Sequence, residues 1–254
     1  MTTCELLRAW WRFDAVAAVV GVGVIVAFAR ARRGSIAPPG PWRVVAVAAA
    51  LVTLAIAMTS PIAGLADGYV FTAHMLQHLL LVLVVPPLAL LGFAPRPGGR
   101  PPRAAVSWLL GVGAMWLWHE QTLCSAAARD PVVHAVQEVS LLVMGAAFWW
   151  PIVSPRERAR LGPLAAIAYL ATACFACTVL GIIVTFSPVS VCAAFAQASD
   201  GTGVMALVRD GWGLSAATDQ QLGGLLMWVP ACLIYGGAIL ATLMRLYRDD
   251  RGVA

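Results

Sequence analysis

Lysine is absent from this chain, and charge of either sign is scarce. Only 11% of the 254 residues are charged, against 61% hydrophobic, far from the balance of a soluble domain. Equally informative are the motifs that are missing. No phosphate-cradling loop, dinucleotide fingerprint or nucleophile elbow occurs, so the sequence does not read as a standard enzyme. No basic stripe interleaved with aromatics is present, which speaks against nucleic acid as a partner. Cys174 and Cys177 stand at i and i+3, but a second such pair is lacking, and zinc-finger spacing is excluded. What remains is an integral membrane protein whose first partner is the lipid bilayer.

Runs of roughly 17 to 25 apolar residues each suffice to cross hydrocarbon as a helix. Seven are read: Phe13 to Ala29, Val44 to Thr59, Tyr69 to Gly92, Ala104 to Trp118, Val132 to Ile152, Leu164 to Phe186 and Leu222 to Leu243. The expected fold is an all-α, polytopic helix bundle forming a single domain over residues 1–254, with one long loop over about 187–218. The first run is followed by Arg30, Arg32 and Arg33 without a small-residue cleavage pattern, and reads as a retained span.

The arginines give the orientation. Arg30, Arg32, Arg33 and Arg43, then Arg96, Arg100 and Arg103, then Arg156, Arg158 and Arg160, and finally Arg245, Arg248 and Arg251 all fall on one side. Arg8, Arg12, Arg129 and Arg209 are left for the other. The positive-inside rule then predicts an N-terminus outside and a C-terminus in the cytoplasm. The sequence pI near 9.1 is in this reading a topology signal, with arginines meeting lipid headgroups.

With that orientation all four histidines fall at one edge of the bundle. His74 lies roughly 7 Å and His78 roughly 13 Å below the outer end of the third span. His119 closes the fourth span at the same face, and His134 opens the fifth. Glu138 stands one turn below His134, and Asp219, Gln220 and Gln221 open the seventh. A lone histidine within a membrane more often bridges helices by a hydrogen bond than binds a metal. Two at i and i+4 share a face about 6 Å apart, the separation at which two imidazoles reach one ion. With two more histidines and a carboxylate at that depth, a metal is the expected occupant.

Ligand softness narrows the choice. Met75 lies beside the pair and Met115 one turn below His119; thioether with imidazole suits copper, whereas imidazole with carboxylate suits zinc or Cu(II) equally. Methionine is also ordinary packing in apolar helices, the preferred reading for Met115, Met144 and Met227. Cys4, Cys124 and Cys192 fall on the outer side, where disulfides persist, and a bridge between Cys124 and Cys192 is expected. A haem-binding electron carrier and a metal or small-solute permease stand as alternatives. A faint echo links His74-x-x-Gln77-His78 to His134-x-x-Gln137-Glu138, both at the starts of helices entering from outside.

Several local words carry a resemblance. Phe71-Thr72-Ala73-His74-Met75-Leu76-Gln77-His78-Leu79-Leu80, Pro86-Pro87-Leu88, Trp118-His119, Phe148-Trp149-Trp150-Pro151 and Asp219-Gln220-Gln221-Leu222-Gly223-Gly224 are similar to those of the multi-span CtaG-type cytochrome c oxidase assembly factors. The resemblance runs over nearly the whole chain. It implies a non-enzymatic protein of the bacterial cytoplasmic membrane, acting with a haem–copper oxidase subunit, and with a copper chaperone as a further candidate partner, in making the oxidase's copper centre. In that reading the metal residues are His74, His78, His119 and His134, with Met75, Glu138 and Asp219 as further ligands or orienting groups. Glu138 stands where the family commonly carries a second histidine. A glutamate ligates Cu(II) or zinc but is a poor Cu(I) ligand.

Overall fold

The computed structural model describes residues 1–33, 40–94, 98–100, 103–198 and 203–252; Arg96 and residues 199–202 of the long loop lie outside them. Every regular element among these residues is helical. In chain order they are α1 (Thr3–Ala9), α2 (Ala15–Arg33), α3 (Pro41–Thr59), α4 (Pro61–Ala66), α5 (Phe71–Leu79), α6 (Val85–Gly92), α7 (Ala104–Trp118), α8 (Gln121–Ala127), α9 (Pro131–Val153), α10 (Pro163–Phe186), α11 (Ala193–Ala196), α12 (Val204–Ala206) and α13 (Ala216–Gly252). Six helices are long and apolar enough to cross a membrane: α2, α3, the continuous α5–α6 rod, α9, α10 and α13. The remaining apolar run, α7, has 15 residues, about 22 Å of helix against a hydrocarbon core of about 30 Å.

The faces these helices turn outward are apolar. Val19, Val22, Val45, Val143, Leu164, Phe175 and Leu233 are all well exposed, an arrangement that water would punish and hydrocarbon does not. The helices pack chiefly through close approach. α10 lies along α13, where Gly224 faces Thr185 and Gly181 faces Trp228. Small residues at such crossings let backbones meet where lipid offers no hydrophobic drive for association.

The rod that carries the histidine pair is interrupted by one wide π-type turn, Leu80–Val84. Pro86 and Pro87 explain it: a proline offers no N–H to the carbonyl four residues back and its ring crowds that carbonyl. The carbonyl of Val82, released by Pro86, is taken up by the indole of Trp149, whose Nε1 donates at 3.1 Å. Gly145 of α9 packs directly on that turn, where a Cβ would stand 3.0 Å from the Val82 backbone. The Pro-Pro and Phe-Trp-Trp-Pro words are thus two halves of one joint, which sets the direction of α5.

α13 begins six residues before the Leu222 expected from hydropathy and runs past Leu243. Its first turn is polar, so an apolar count passes over it. Cys124 and Cys192 are joined by a disulfide, Cα to Cα 5.7 Å. It ties α8 to the segment that leads into α11.

Candidate metal centre

α5 presents Phe71, Ala73, His74, Met75, Gln77 and His78 to the interior, all buried. The start of this helix is held by another helix altogether. Asp219 of α13 accepts the backbone N–H groups of Phe71 (2.9 Å) and Thr72 (2.8 Å), and its Oδ1 also accepts the Thr72 hydroxyl at 2.7 Å. These are first-turn N–H groups with no partner inside their own helix, and a carboxylate there also meets the positive end of the helix dipole. Asp219 therefore positions the histidines; both of its oxygens are occupied in doing so.

The structure brings the four imidazoles into one cluster. His74 and His78 have ring centroids 4.2 Å apart, His74 and His134 5.6 Å, and His78 and His119 5.6 Å. All four are buried. Their nitrogens are not equivalent. His74 Nδ1 lies 3.2 Å from the Ala66 carbonyl, and His119 Nδ1 is likewise bonded to the Met115 carbonyl. That contact requires the N–H on Nδ1 and leaves Nε2 as a lone-pair donor. Among the described residues His74 Nε2 has no hydrogen-bond partner, and His119 Nε2 faces the Met75 sulfur at 3.1 Å. Neither ring nitrogen of His78 completes a hydrogen bond, nor do the amide atoms of Gln137, which lies beside it.

His134 differs. Its Nδ1 is 3.3 Å from Asp67 Oδ1 and its Nε2 is 3.2 Å from Gln77 Oε1, with Glu138 Oε1 at 3.8 Å. Gln77 in turn donates to Glu138 Oε1 (2.8 Å) and to the Ala57 carbonyl (3.1 Å). Both nitrogens of His134 are thus engaged by oxygens, and Glu138 is held by the amide of Gln77. The echoed turns His74-x-x-Gln77 and His134-x-x-Gln137-Glu138 meet here in space, through Gln77. Among the described residues, no three His, Cys, Asp or Glu side chains converge closely enough to hold an ion as they stand.

Two participants, Asp67 and Phe195, have no place in the sequence motifs, and a third, Gln77, stands there as part of the echoed turns. Asp67 accepts from Arg12 at 2.9 Å as well as meeting His134. Phe195 of α11 lies over His74 with ring centroids 5.1 Å apart, carried there by the loop that Cys192 pins to α8. Gln77 joins two of the histidine-bearing helices, α5 and α9. An acidic residue in so uncharged a chain was the available signal for Asp67; nothing local marks Phe195.

The hydrogen bond from His134, with the neighbouring Arg12 guanidinium, holds the Asp67 carboxyl down at about 2, below the usual carboxylate range near 3.9. A carboxylate depressed in the folded state contributes stability that is full above its unfolded value and is lost as pH falls toward the folded one. Thermal unfolding of detergent-solubilised Asp67→Asn against the parent protein should therefore show a gap that is constant above pH ~5 and closes between about 4 and 2. A gap of equal size at pH 3 and pH 7 would contradict this pairing.

The chain matches the family model described as "Cytochrome c oxidase caa3 assembly factor (Caa3_CtaG)" over residues 22–98 and 100–249. Among curated proteins it is similar to an uncharacterized protein of Mycobacterium leprae (strain TN), 27% identical over 279 aligned positions, covering 96% of this chain and 40% of that protein. An uncharacterized protein of Mycobacterium bovis is 26% identical over 284 positions, with 96% and 40% covered. The chain thus spans about two fifths of the length of these curated relatives. No solved structure matches it. The family match takes in α5, the Pro-Pro turn, the histidine-bearing helix ends and the Asp219 cap together, and the chain belongs to the caa3-type cytochrome c oxidase assembly factor (CtaG) family.

Proposed function

We propose that this protein is a membrane-embedded assembly factor that holds copper at the extracytoplasmic face of the bacterial cytoplasmic membrane and supports formation of the copper centre of a haem–copper oxidase. The observation that carries the reading is the state of the imidazoles. His74 and His78 are buried one turn apart, with His74 Nε2 and both ring nitrogens of His78 lacking a hydrogen bond among the described residues, and His119 offers Nε2 beside the Met75 sulfur. Unpaired polar atoms at such depth are costly, and an ion that gathers them repays the cost. His74, His78, His119 and Met75 are the proposed ligands. His134, Glu138 and Asp219 serve as orienting groups, because their polar atoms already hold other side chains or a helix end.

In this reading the single domain crosses the membrane seven times, α7 included, with the N-terminus outside. The arginine-rich ends lie in the cytoplasm and the histidines at the outer face. Partners are an oxidase subunit docking in the plane of the membrane and a copper chaperone. The family is named for assembly and not for a reaction, in keeping with a chaperone-like role. Elemental analysis of purified protein should give close to one copper per chain in the parent and at least about tenfold less in His74→Ala/His78→Ala. Full copper in the double variant would reject the site, and a Soret band in the purified protein would favour a haem carrier instead.

A further inference from the structure

Beside His78 lies a small, partly enclosed cavity lined by Met75, His78, Met115, Cys177, Met227 and Tyr235, with apolar contacts from Leu79, Val82 and Leu83. The centre of a water-sized sphere has about 10 Å³ in which to move, room for one small occupant and no more. Met75, His78, Cys177, Met227 and Tyr235 are almost wholly buried. Among the described residues on the wall, Tyr235 carries the side-chain oxygen, a hydroxyl 3.8 Å from Cys177 Sγ. Four helices contribute: α5, α7, α10 and α13.

We propose that this chamber is a second metal site, selective for monovalent copper, formed by the thioethers of Met75, Met115 and Met227 with an imidazole nitrogen of His78. It rests on the reading above that this end of the protein handles copper, and it shares Met75 and His78 with the imidazole site while adding Met115 and Met227. Packing alone explains a buried methionine; it does not explain three thioethers and a hydrogen-bond-free imidazole around one small void. Soft, neutral sulfur donors favour Cu(I), whereas zinc, magnesium and calcium demand harder or charged ligands. The void is too small for a hydrated divalent ion. A singly charged ion also costs less to bury than a doubly charged one.

Met75 and His78 belong to both places. The Met75 sulfur is 3.1 Å from His119 Nε2, and Met75 also lines the chamber. An ion can thus pass from nitrogen to sulfur donors by exchanging one ligand at a time, never bare in the low-dielectric interior. The imidazole cluster, with Glu138 nearby, accommodates Cu(II) or Cu(I); the thioether chamber retains only the reduced ion.

The test is anaerobic titration of the full-length, detergent-solubilised protein with Cu(I), read by competition with a chromophoric chelator and by copper-edge X-ray absorption. The variants are Met115→Leu/Met227→Leu, close in volume to the parent, and separately His74→Ala, which lies outside the chamber wall. The parent should show sulfur scatterers around copper. The methionine variant should keep at most the single sulfur of Met75 and bind Cu(I) at least about tenfold more weakly, with its thermal stability and far-UV spectrum unchanged. His74→Ala should keep the copper–sulfur signal. Parent copper bound through nitrogen and oxygen alone, or an unaltered sulfur signal in the methionine variant, overturns the chamber. Loss of copper in His74→Ala with no change in the methionine variant would leave the imidazole site standing without it. A sulfur signal that survives in His74→Ala while total copper is also unchanged would leave the chamber standing and remove the imidazole cluster.

Discussion

Asp219→Ala should unseat the start of α5 and lower the protein's stability by about 3 kcal/mol, since two charge-assisted hydrogen bonds to buried or half-buried N–H groups are lost and nothing replaces them. Water cannot reach the site freely: Asp219 is 1% exposed and Phe71 3%. His74 sits one turn from the loosened end, so copper binding should weaken with stability. Asp219→Asn separates the two roles open to this residue. The amide keeps an acceptor oxygen for the Thr72 N–H and hydroxyl but loses the one that serves the Phe71 N–H, so a capping residue loses only part of the stability, about 1 to 2 kcal/mol, and retains copper. A copper ligand would lose the metal with the charge. Paired measurements of thermal stability and copper content decide it: full stability with no copper in Asp219→Asn would overturn the capping assignment.

Gly224→Ala is the second large effect. A Cβ at this position would stand 2.4 Å from Thr185 Oγ1 and 2.6 Å from the Thr185 backbone nitrogen. Rotating the threonine relieves the first contact but not the second, because backbone cannot step aside without moving the helix. α10 and α13 must therefore part, at a cost of about 3 kcal/mol. Gly223 lies on the neighbouring face, where a Cβ would meet the Phe71 ring at 2.5 Å. The separation would thus be felt at α5 and at the histidines. Among the described residues, nothing stands within 4 Å of a Cβ at Gly236 or Gly237 of the same helix. Gly236→Ala should accordingly be neutral or slightly stabilising, as the helix propensity of alanine exceeds that of glycine. Equal melting temperatures for Gly224→Ala and Gly236→Ala would show that the close approach is not a constraint.

Both residues come from the Asp219-Gln220-Gln221-Leu222-Gly223-Gly224 word, and the structure gives each legible position a separate task. Asp219 caps α5. Gln220 accepts the Val191 N–H through Oε1 at 2.9 Å, while its amide faces the carbonyls of Val184, Ser187 and Val189 at 3.2 to 3.3 Å. It thereby shapes the chain between α10 and the disulfide. Gly223 and Gly224 admit α5 and α10. In the sequence the two glycines stand only as members of that word, with no task of their own. A close approach is a property of two helices, and one sequence shows only the glycine's half of it.

Hydropathy and the placement of arginine were enough to specify an all-α membrane bundle with one long connection, since a twenty-residue apolar run has few fates in water or lipid. They also placed four histidines at one edge, because a helix converts position along the chain into depth. The Cys124–Cys192 bridge was legible for the same reason, both thiols falling on one side. The division of labour among the histidines was not. Whether an imidazole is free to bind depends on what its other nitrogen touches. The Ala66 and Met115 carbonyls, Asp67 and Gln77 reach those nitrogens from other turns or other helices. Met115 and Met227 read as packing in isolation, each apolar and each on a different helix. Only the tertiary structure sets them around one void with His78, because a ligand sphere is defined by distances across helices, and periodicity within a helix carries no information about those.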